Sequence, residues 1–282
     1  MRRKPEVMTE DGNNRLIHEP YAELAAVYDE MLPDEEFYAQ WLALLRAEWH
    51  STQPASVVDL GCGTGVLAVA MAQAGWSVIG VDGSEAMLAV ASERAIEERA
   101  TVSLRCMDLR SFHLSSPVEV AVCTRDVLNY LLTESDLECV VRRVHDALVP
   151  GGKFFFDVLG PKRVRQLADG VWHVVTDATV LLHLTEVTEV AGECGRPIIS
   201  HDITCFSKVD DGYYERFDEC HLQRFYTASV LASVLLRQGF QVAAVYSDFH
   251  KHNAVLGAER TTLDSVDFDD ADRMIFVWER LG

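Results

Sequence analysis

Hydrophobic and polar positions follow two different periods along this chain of 282 residues. Between residues 56 and 159, short apolar runs rich in β-branched residues alternate with stretches of helical spacing. Such runs predict buried strands, while apolar residues at i, i+3 and i+4 predict amphipathic helices. Because strands that alternate with helices form parallel sheets with crossover connections, this region predicts an α/β core. Its strands are expected in SVVDL, SVIGVD, VSLRC, VEVAVC and KFFFDVL.

Helical spacing also precedes the core. The segment YAELAAVYDEML, residues 21–32, places Tyr21, Leu24, Tyr28 and Met31 on one face of a predicted helix, and EFYAQWLALLRAEW predicts a second helix. We expect the first helix to act as a lid over the core.

Long β-type runs follow the core from about residue 171. They are VVTDATVLLHLTEV, IISHDITCFSKV and YYERFDECHLQRFY, and Asp211-Gly212 between the last two favours a hairpin. We therefore predict an antiparallel insertion, followed by a helix at about 227–238 and two closing strands.

These patterns divide the chain into four segments without a low-complexity linker. We expect a tail and lid helices at 1–50, a core at 51–160, an antiparallel β insertion that caps the substrate at 161–226, and the C-terminal part of the core at 227–282.

Composition restricts the classes of partner. The formal net charge of −19 disfavours nucleic acid, whose binding depends on clustered Lys and Arg, and suits a small and especially a cationic molecule. No apolar run reaches membrane-spanning length, and no apolar stretch follows the basic first residues, so we expect a cytoplasmic protein without membrane contact, as a monomer or homodimer. Seven cysteines without a CxxC pair indicate neither a disulfide framework nor a zinc site.

A glycine-rich turn follows the first core strand. In VVDLGCGTG, Asp59 precedes Gly61, Gly63 and Gly65, and a helix follows the turn. The dinucleotide fingerprint G-x-G-x-x-G fails because its third glycine position holds Val66, and the Gly-Lys-Ser/Thr ending of a phosphate loop is absent. An acid two residues before G-x-G-x-G resembles the first motif of the class I S-adenosylmethionine-dependent methyltransferases.

Further acids follow the next strands. Asp82 ends the second strand 21 residues after Gly61, where a carboxylate can accept hydrogen bonds from both ribose hydroxyls. By the same resemblance, Asp108 lies near the adenine amine with the Leu109 amide behind it, and the segment after strand four lines the methyl-transfer pocket.

The resemblance covers mainly residues 20–160 and the closing strand. It implies a Rossmann-like, doubly wound seven-stranded sheet, six strands parallel and the last antiparallel, with the β insertion after strand five. S-adenosyl-L-methionine is the implied cofactor. The residues expected around it are Tyr21, Asp59, Gly61, Cys62, Gly63, Gly65, Asp82, Gly83, Met87, Met107, Asp108, Leu109, Thr124 and Asp126.

The methyl acceptor is expected between strand four and the insertion. In ERFDECHLQRFYT, period two places Phe217, Glu219, His221, Gln223 and Phe225 on one face, and Cys220, Leu222, Arg224 and Tyr226 on the other. This segment resembles the insertion of aminosugar N-methyltransferases, whose residues lie over the cofactor's methyl group.

Residue chemistry on this segment gives the catalytic hypothesis. Glu219 or His221 would orient the acceptor and receive its proton, and Tyr28 of the lid would frame it. The expected substrate residues are Asn129, Tyr130, Arg224 and Tyr226. The sequence leaves open which strand face meets the pocket and whether nitrogen or oxygen is methylated.

Two other functions fit the cofactor motif. One is a module that binds S-adenosylmethionine or S-adenosylhomocysteine without catalysis, and the other is a methyltransferase that acts on protein. We predict no metal site, because the acidic segment with five aspartates between 264 and 272 lacks the glycine and glutamate that EF-hand spacing requires.

Overall fold

A computed structural model of the protein describes residues 20–31, 35–49, 55–168, 170–188, 197–209, 212–252, 263 and 266–282. The predicted N-terminal tail up to residue 19, the hairpin residue Asp211 and Asp264 of the acidic segment lie outside the described residues.

Helices and strands alternate through the core as the hydrophobic pattern predicts. The described α-helices are α1 Tyr28–Met31, α2 Glu35–Glu48, α3 Val66–Gln73, α4 Glu85–Glu97, α5 Glu134–Ala147, α6 Pro161–Leu167 and α7 Ala228–Arg237. The described strands are β1 Ser56–Leu60, β2 Ser77–Asp82, β3 Val102–Cys106, β4 Val118–Cys123, β5 Leu148–Leu159, β6 Gly170–Val175, β7 Thr179–Thr188, β8 Ile198–Lys208, β9 Tyr214–Arg224, β10 Phe240–Ser247, β11 His250–Lys251 and β12 Arg273–Arg280.

The larger sheet has the order β11-β10-β12-β5-β4-β1-β2-β3. β12 runs antiparallel to both β5 and β10, whereas the pairs among β5, β4, β1, β2 and β3 are parallel. The predicted Rossmann-like sheet of six parallel strands with an antiparallel last strand is thus confirmed. The two-residue strand β11 adds an eighth strand at the edge that the sequence did not indicate.

The second sheet is antiparallel, with the order β6-β7-β8-β9, and lies between β5 and α7 in the sequence. It confirms the predicted insertion after strand five. One detail was wrong: residues 174–187 form parts of two strands, because the Thr176 hydroxyl accepts hydrogen bonds from the amides of Ala178 and Thr179 and turns the chain. Helix α6, which begins with Pro161, was not predicted either.

The segment for which a lid role is predicted, residues 21–31 and called the lid below, is less helical than the sequence indicates. Instead of one helix over 21–32, a 3-10 turn at Leu24–Val27 continues into the single turn α1. Tyr21 has a positive φ of 64°, which an α-helix excludes, and its amide is bonded to a side chain of β9. Among the described helices, none is long and apolar enough to span a lipid bilayer.

Asn129 joins the core to the antiparallel sheet. Its side chain is fully buried, its Nδ2 donates to the carbonyl of Arg224 at 2.7 Å, and its Oδ1 accepts from the amide of Leu159 at 3.1 Å. One amide therefore satisfies backbone groups at the ends of β9 and β5, where both strands leave their sheets.

We expect Asn129→Ala to lower the free energy of unfolding by about 2–4 kcal/mol, because it leaves a buried N–H and a buried C=O without partners. Urea denaturation would measure the change. The matched control is Gln241→Ala, which removes an exposed amide from β10 and is expected to change stability by less than about 0.5 kcal/mol. Equal stability of the two variants would contradict the role of Asn129.

Candidate active site

The glycines of the turn after β1 serve different purposes. A Cβ atom on Gly61 would lie 2.5 Å from a methyl group of Val127, and one on Gly65 would lie 2.8 Å from the Cβ of Ala91 in α4. These two glycines permit close packing within the protein. A Cβ on Gly63 would meet nothing within 4 Å. Of these three glycines, only Gly63 therefore has its backbone next to open space.

Asp82 organises the turn from the end of β2. Its Oδ2 accepts from the amide of Gly63 and its Oδ1 from the amide of Ser84, each at 2.8 Å. Burial raises the pKa of Asp82, and the backbone hydrogen bonds oppose that increase. Each carboxylate oxygen retains a further lone pair for a ligand donor.

Asp59 lies beside Asp82 at the end of β1 and is almost fully buried. Its Oδ1 has no hydrogen-bond partner among the described residues. Burial, with a smaller contribution from the neighbouring Asp82, raises the pKa of Asp59 to about 7. A ligand that donates a hydrogen bond to Oδ1 would lower this pKa and favour the ionised form of Asp59.

Asp108 lies after β3 in a different setting. Its carboxylate is paired with Arg110, whose Nε donates at 3.0 and 3.1 Å to the two oxygens, and about half of the Asp108 side chain is exposed. Hydrogen bonds from Arg110 lower the pKa of Asp108. Asp108 is thus paired with Arg110, a partner that was not predicted from the sequence.

The other predicted cofactor residues lie on the loops and first turns around these acids. Cys62, Met87 and Thr124 are buried, whereas Gly83, Met107 and Leu109 are not fully buried. A Cβ on Gly83 would also meet open space. Burial raises the pKa of the Cys62 thiol strongly, so this cysteine is unreactive.

The lid is docked on the glycine turn through Asp29. Its Oδ1 accepts from the hydroxyl of Thr64 at 2.8 Å, and its Oδ2 pairs with Arg94 of α4. Arg94 Nε in turn donates to the carbonyl of Thr64 at 3.0 Å. The sequence gives no signal for this cluster, because Asp29 and Arg94 are 65 positions apart and share no spacing pattern.

Glu219 docks the other side of the lid. Its Oε2 accepts from the amide of Tyr21 at 2.7 Å, and its Oε1 accepts from the amides of Glu23 and Leu24 at 3.0 and 2.9 Å. His221 Nε2 lies 2.8 Å from the same Oε2. Burial raises the pKa of Glu219, but these hydrogen bonds lower it by more, so the carboxylate stays ionised.

A chain of hydrogen-bonded side chains extends from Glu219 to the hydroxyl of Tyr21 in the lid. His221 Nδ1 lies 3.3 Å from the hydroxyl of Tyr130, and that hydroxyl is bonded to the hydroxyl of Tyr21. The ring of Tyr21 packs edge-on against His221 and Tyr28, with centroid separations of 4.5 and 5.8 Å. Burial raises the pKa values of all three tyrosines, so their phenols remain neutral.

Asp126 forms a second polar centre at the end of β4. Its Oδ1 accepts from Arg273 at 2.9 Å and its Oδ2 from Gln223 Nε2 at 2.6 Å, while its amide donates to Asp157 at 2.6 Å. Arg125 and Asp126 have positive φ values of 66° and 51°, a conformation that costs energy in residues other than glycine. Arg273 on β12 and Asp157 on β5 contact Asp126 but were not among the site residues predicted from the sequence.

Two predicted substrate residues are engaged in the core. Asn129 bonds two backbone groups, as described above. Tyr226 is fully buried, and its hydroxyl donates to the carbonyl of Thr133 at 3.2 Å and to that of Leu131. Arg224, by contrast, has a buried Nε without a hydrogen-bond partner among the described residues. We do not carry Asn129 and Tyr226 into the proposed acceptor site.

The face of β9 that meets the core is that of Glu219, His221 and Gln223, all three about 2% exposed, whereas Leu222 on the opposite face is 42% exposed. Hydrogen bonds link the glycine turn, the lid, the end of β4 and the antiparallel sheet around these residues. Among the described residues, no group of three or more His, Cys, Asp or Glu side chains is arranged to hold a metal ion.

Comparison with known proteins agrees with this arrangement. The model of a family described as "Methyltransferase domain" matches residues 57–152. A predicted methyltransferase of Geobacillus sp. (strain WCH70) is 30% identical over 235 residues, which are 81% of this chain and 92% of that protein.

Solved structures share the fold over nearly the whole chain. An S-adenosylmethionine-dependent methyltransferase from Clostridium acetobutylicum ATCC 824 superposes with a TM-score of 0.72 at 19% identity, covering 92% of this chain and 98% of that one. The sugar N-methyltransferase KedS8 from Streptoalloteichus sp. ATCC 53650 has a TM-score of 0.69 at 16% identity, covering 98% and 100% of the two chains.

Proposed function

This chain belongs to the class I S-adenosylmethionine-dependent methyltransferases, and we propose that it transfers the methyl group to a nitrogen or oxygen atom of a small molecule. The observation that carries this proposal is the buried chain of hydrogen bonds that joins Tyr21, through Tyr130 and His221, to the carboxylate of Glu219.

The residues of the turn fit the cofactor. Gly63 and Gly83 offer backbone without obstruction, Asp82 retains lone pairs for two ribose hydroxyls, and Asp59 has a buried oxygen that lacks a donor. We propose that these groups bind the adenosine and amino-acid portions. We retain Asp108 as a candidate for the adenine amine through the lone pairs that Arg110 does not use.

The cofactor, when bound, supplies an activated methyl group as a sulfonium. The protein then has two tasks. It must align the acceptor with the methyl group, which contributes on the order of 7–11 kcal/mol in well-oriented reactions, and it must remove the acceptor's proton. We propose that the lid and the Glu219 face of β9 perform both tasks.

The direction of proton movement follows from hydrogen-bond roles. Ionised Glu219 only accepts, so the His221 Nε2 that faces it carries a proton, and in the neutral imidazole Nδ1 is then the acceptor. Tyr130 therefore donates to His221 Nδ1, and Tyr21 donates to Tyr130. We propose that an acceptor ammonium or hydroxyl gives its proton to the Tyr21 oxygen, and that the phenol protons then shift until His221 Nδ1 is protonated.

This order changes the role first assigned to Glu219. With both oxygens occupied and its pKa lowered, Glu219 is a poor proton acceptor, and it stabilises the His221 imidazolium instead. Tyr28 contacts Tyr21 by its ring, and we propose that it frames the acceptor.

A small acceptor is favoured by the enclosure and by the charge. The lid is joined to the glycine turn by Asp29 and to the antiparallel sheet by Glu219, which restricts access for a large acceptor. The net charge of −19 disfavours nucleic acid, and soluble cytoplasmic amines, phenols or alcohols are the expected acceptors.

We expect cofactor binding to release about one proton at pH 6 and almost none at pH 8. Asp59, with a pKa of about 7, is mostly protonated at pH 6, and a ligand donor at its Oδ1 would favour the ionised form. Calorimetry of S-adenosylmethionine binding in buffers of different ionisation enthalpy measures the release. The control is Asp59→Asn, which keeps the shape and is expected to lose the difference between the two pH values. Identical release in this variant would exclude Asp59 as the source.

We expect Tyr130→Phe and His221→Phe each to lower kcat by about 100-fold or more, since general acid–base catalysis contributes about 10²–10⁴-fold. Affinity for S-adenosylhomocysteine should change little, because neither side chain belongs to the proposed cofactor residues. The assay is transfer of labelled methyl groups to a panel of amines and phenols, selected by incorporation into a cell extract.

Tyr214→Phe serves as the control, because Tyr214 lies on the same strand as His221 but is half exposed. Wild-type rates in both relay variants would contradict the relay. Labelling that appears only in protein would contradict the small-molecule acceptor itself.

A further inference from the structure

The inner face of the antiparallel sheet is apolar at both ends and polar in the middle. At one end Leu181, Ile203 and Cys205 pack against the lid, and at the other end Ile199 packs against Leu167 of α6. Between these clusters the face carries imidazole and amide side chains, contributed by β7, β8 and β9. They are His183, His201, His221 and Gln223.

Three of these side chains form a chain that starts at Asp126. Gln223 Nε2 lies 2.6 Å from the Asp126 carboxylate, Gln223 Oε1 lies 3.0 Å from His201 Nε2, and His201 Nδ1 lies 3.0 Å from His183 Nε2. This chain of hydrogen bonds starts in the core at Asp126 and passes across β9 and β8 to His183 on β7. No other part of the proposed reaction uses it.

Asp126 determines the donor and acceptor at every link. Burial raises its pKa, but Arg273 and Gln223 lower it by more, so the carboxylate is ionised and can only accept. The Gln223 amide nitrogen is therefore the donor, and its oxygen accepts from His201 Nε2–H.

The two histidines continue the same order because both are neutral. Burial lowers the pKa of His183 to about 4 and also lowers that of His201. A neutral imidazole has one donor and one acceptor nitrogen, so His201 Nδ1 accepts from His183 Nε2–H, and His183 Nδ1 remains an acceptor.

The free end of the chain lies next to a flat aromatic surface. His183 Nδ1 has no hydrogen bond from the described residues, and His183 is half-buried. The ring of Trp172 lies 5.6 Å from the His183 ring, and the Arg163 guanidinium lies 5.4 Å from the Trp172 ring. A single acceptor beside an aromatic ring suits a ring that carries a hydroxyl group.

We propose that His183 Nδ1 and Trp172 form a second subsite of the acceptor pocket, which binds a hydroxyl-bearing ring of the methyl acceptor. The ring hydroxyl donates to His183 Nδ1, and the ring packs against the part of Trp172 that Arg163 and the neighbouring apolar side chains leave exposed. This inference rests on the proposed function, because it assigns a second contact to the same acceptor.

The sheet geometry sets the size of that acceptor. His183 and His221 lie on β7 and β9, which are separated by β8. With neighbouring strands about 4.8 Å apart, β7 and β9 lie about 10 Å apart, and His183 lies opposite Glu219, two residues from His221. An acceptor that contacts both Tyr21 and His183 therefore extends across β8, which disfavours very small amines as substrates.

Binding of ring probes to the full chain, saturated with S-adenosylhomocysteine and labelled with ¹⁵N-histidine, tests the proposal without any methyl transfer. Phenol and methyl β-glucoside represent the two sources of a ring hydroxyl, and anisole is the matched probe that lacks the donor. We expect phenol or methyl β-glucoside to shift the His183 Nδ1 resonance and to bind at least 10-fold more tightly than anisole. The probe that does so identifies the source as phenolic or saccharide.

Two variants make the result specific. His183→Phe keeps a ring but removes the acceptor, and Trp172→Leu removes the aromatic surface. Each is expected to weaken probe binding at least 10-fold, with unchanged S-adenosylhomocysteine affinity. The double substitution should then weaken binding no less than either single one.

Three results would overturn the proposal: a proton on Nδ1 of His183 in the free protein, equal binding of phenol and anisole together with no binding of the glucoside, or full probe affinity in His183→Phe. A protein that binds the probe as expected but transfers no methyl group to any small molecule would refute the proposed function and leave the subsite intact.

Discussion

The carboxylate of Glu219 is the interaction on which the site depends. It is 198 residues from Tyr21 in sequence, yet it accepts hydrogen bonds from three lid amides and from His221. A buried ionised group is costly unless hydrogen bonds compensate it, and here the lid itself provides the compensation. One carboxylate therefore holds both the lid amides and the imidazole, and its Oε2 contacts the Tyr21 amide as well as His221.

Asp126, at the end of β4, is a second buried carboxylate that hydrogen bonds keep ionised. It is buried and ionised, held by Arg273 from β12, and it orders Gln223 and the two histidines beyond it. In both networks an ionised carboxylate at the base leaves an acceptor at the far end. The positive φ values of Arg125 and Asp126 mark where the backbone departs from the sheet to reach this position, and Asp157 stabilises that conformation through the Asp126 amide.

The antiparallel sheet thus contributes more than a cover. Its ends are apolar and attach to the lid and to α6, so its polar middle is held over the carboxyl ends of the core strands. Asn129 ties the end of β9 to β5 and sets this placement. A rigid frame with polar groups at its centre permits substrate discrimination, because a ligand that lacks a matching donor leaves a buried acceptor unpaired.

The sequence by itself determined the core, since hydrophobic period and glycine spacing are local signals. The parallel strands with their crossover helices and the turn at Gly63 follow from residues a few positions apart, whereas the antiparallel last strand was expected from the family resemblance. The period-two pattern of residues 215–226 also separated Glu219 and His221 from Leu222. Only the tertiary structure decided which of these faces meets the core, that Glu219 binds lid amides, that Gly61 and Gly65 admit Val127 and Ala91, and that Tyr226 is a core residue. These facts depend on contacts between segments far apart in the chain, where burial and hydrogen bonding outweigh the local pattern, and no spacing rule along one strand carries that information.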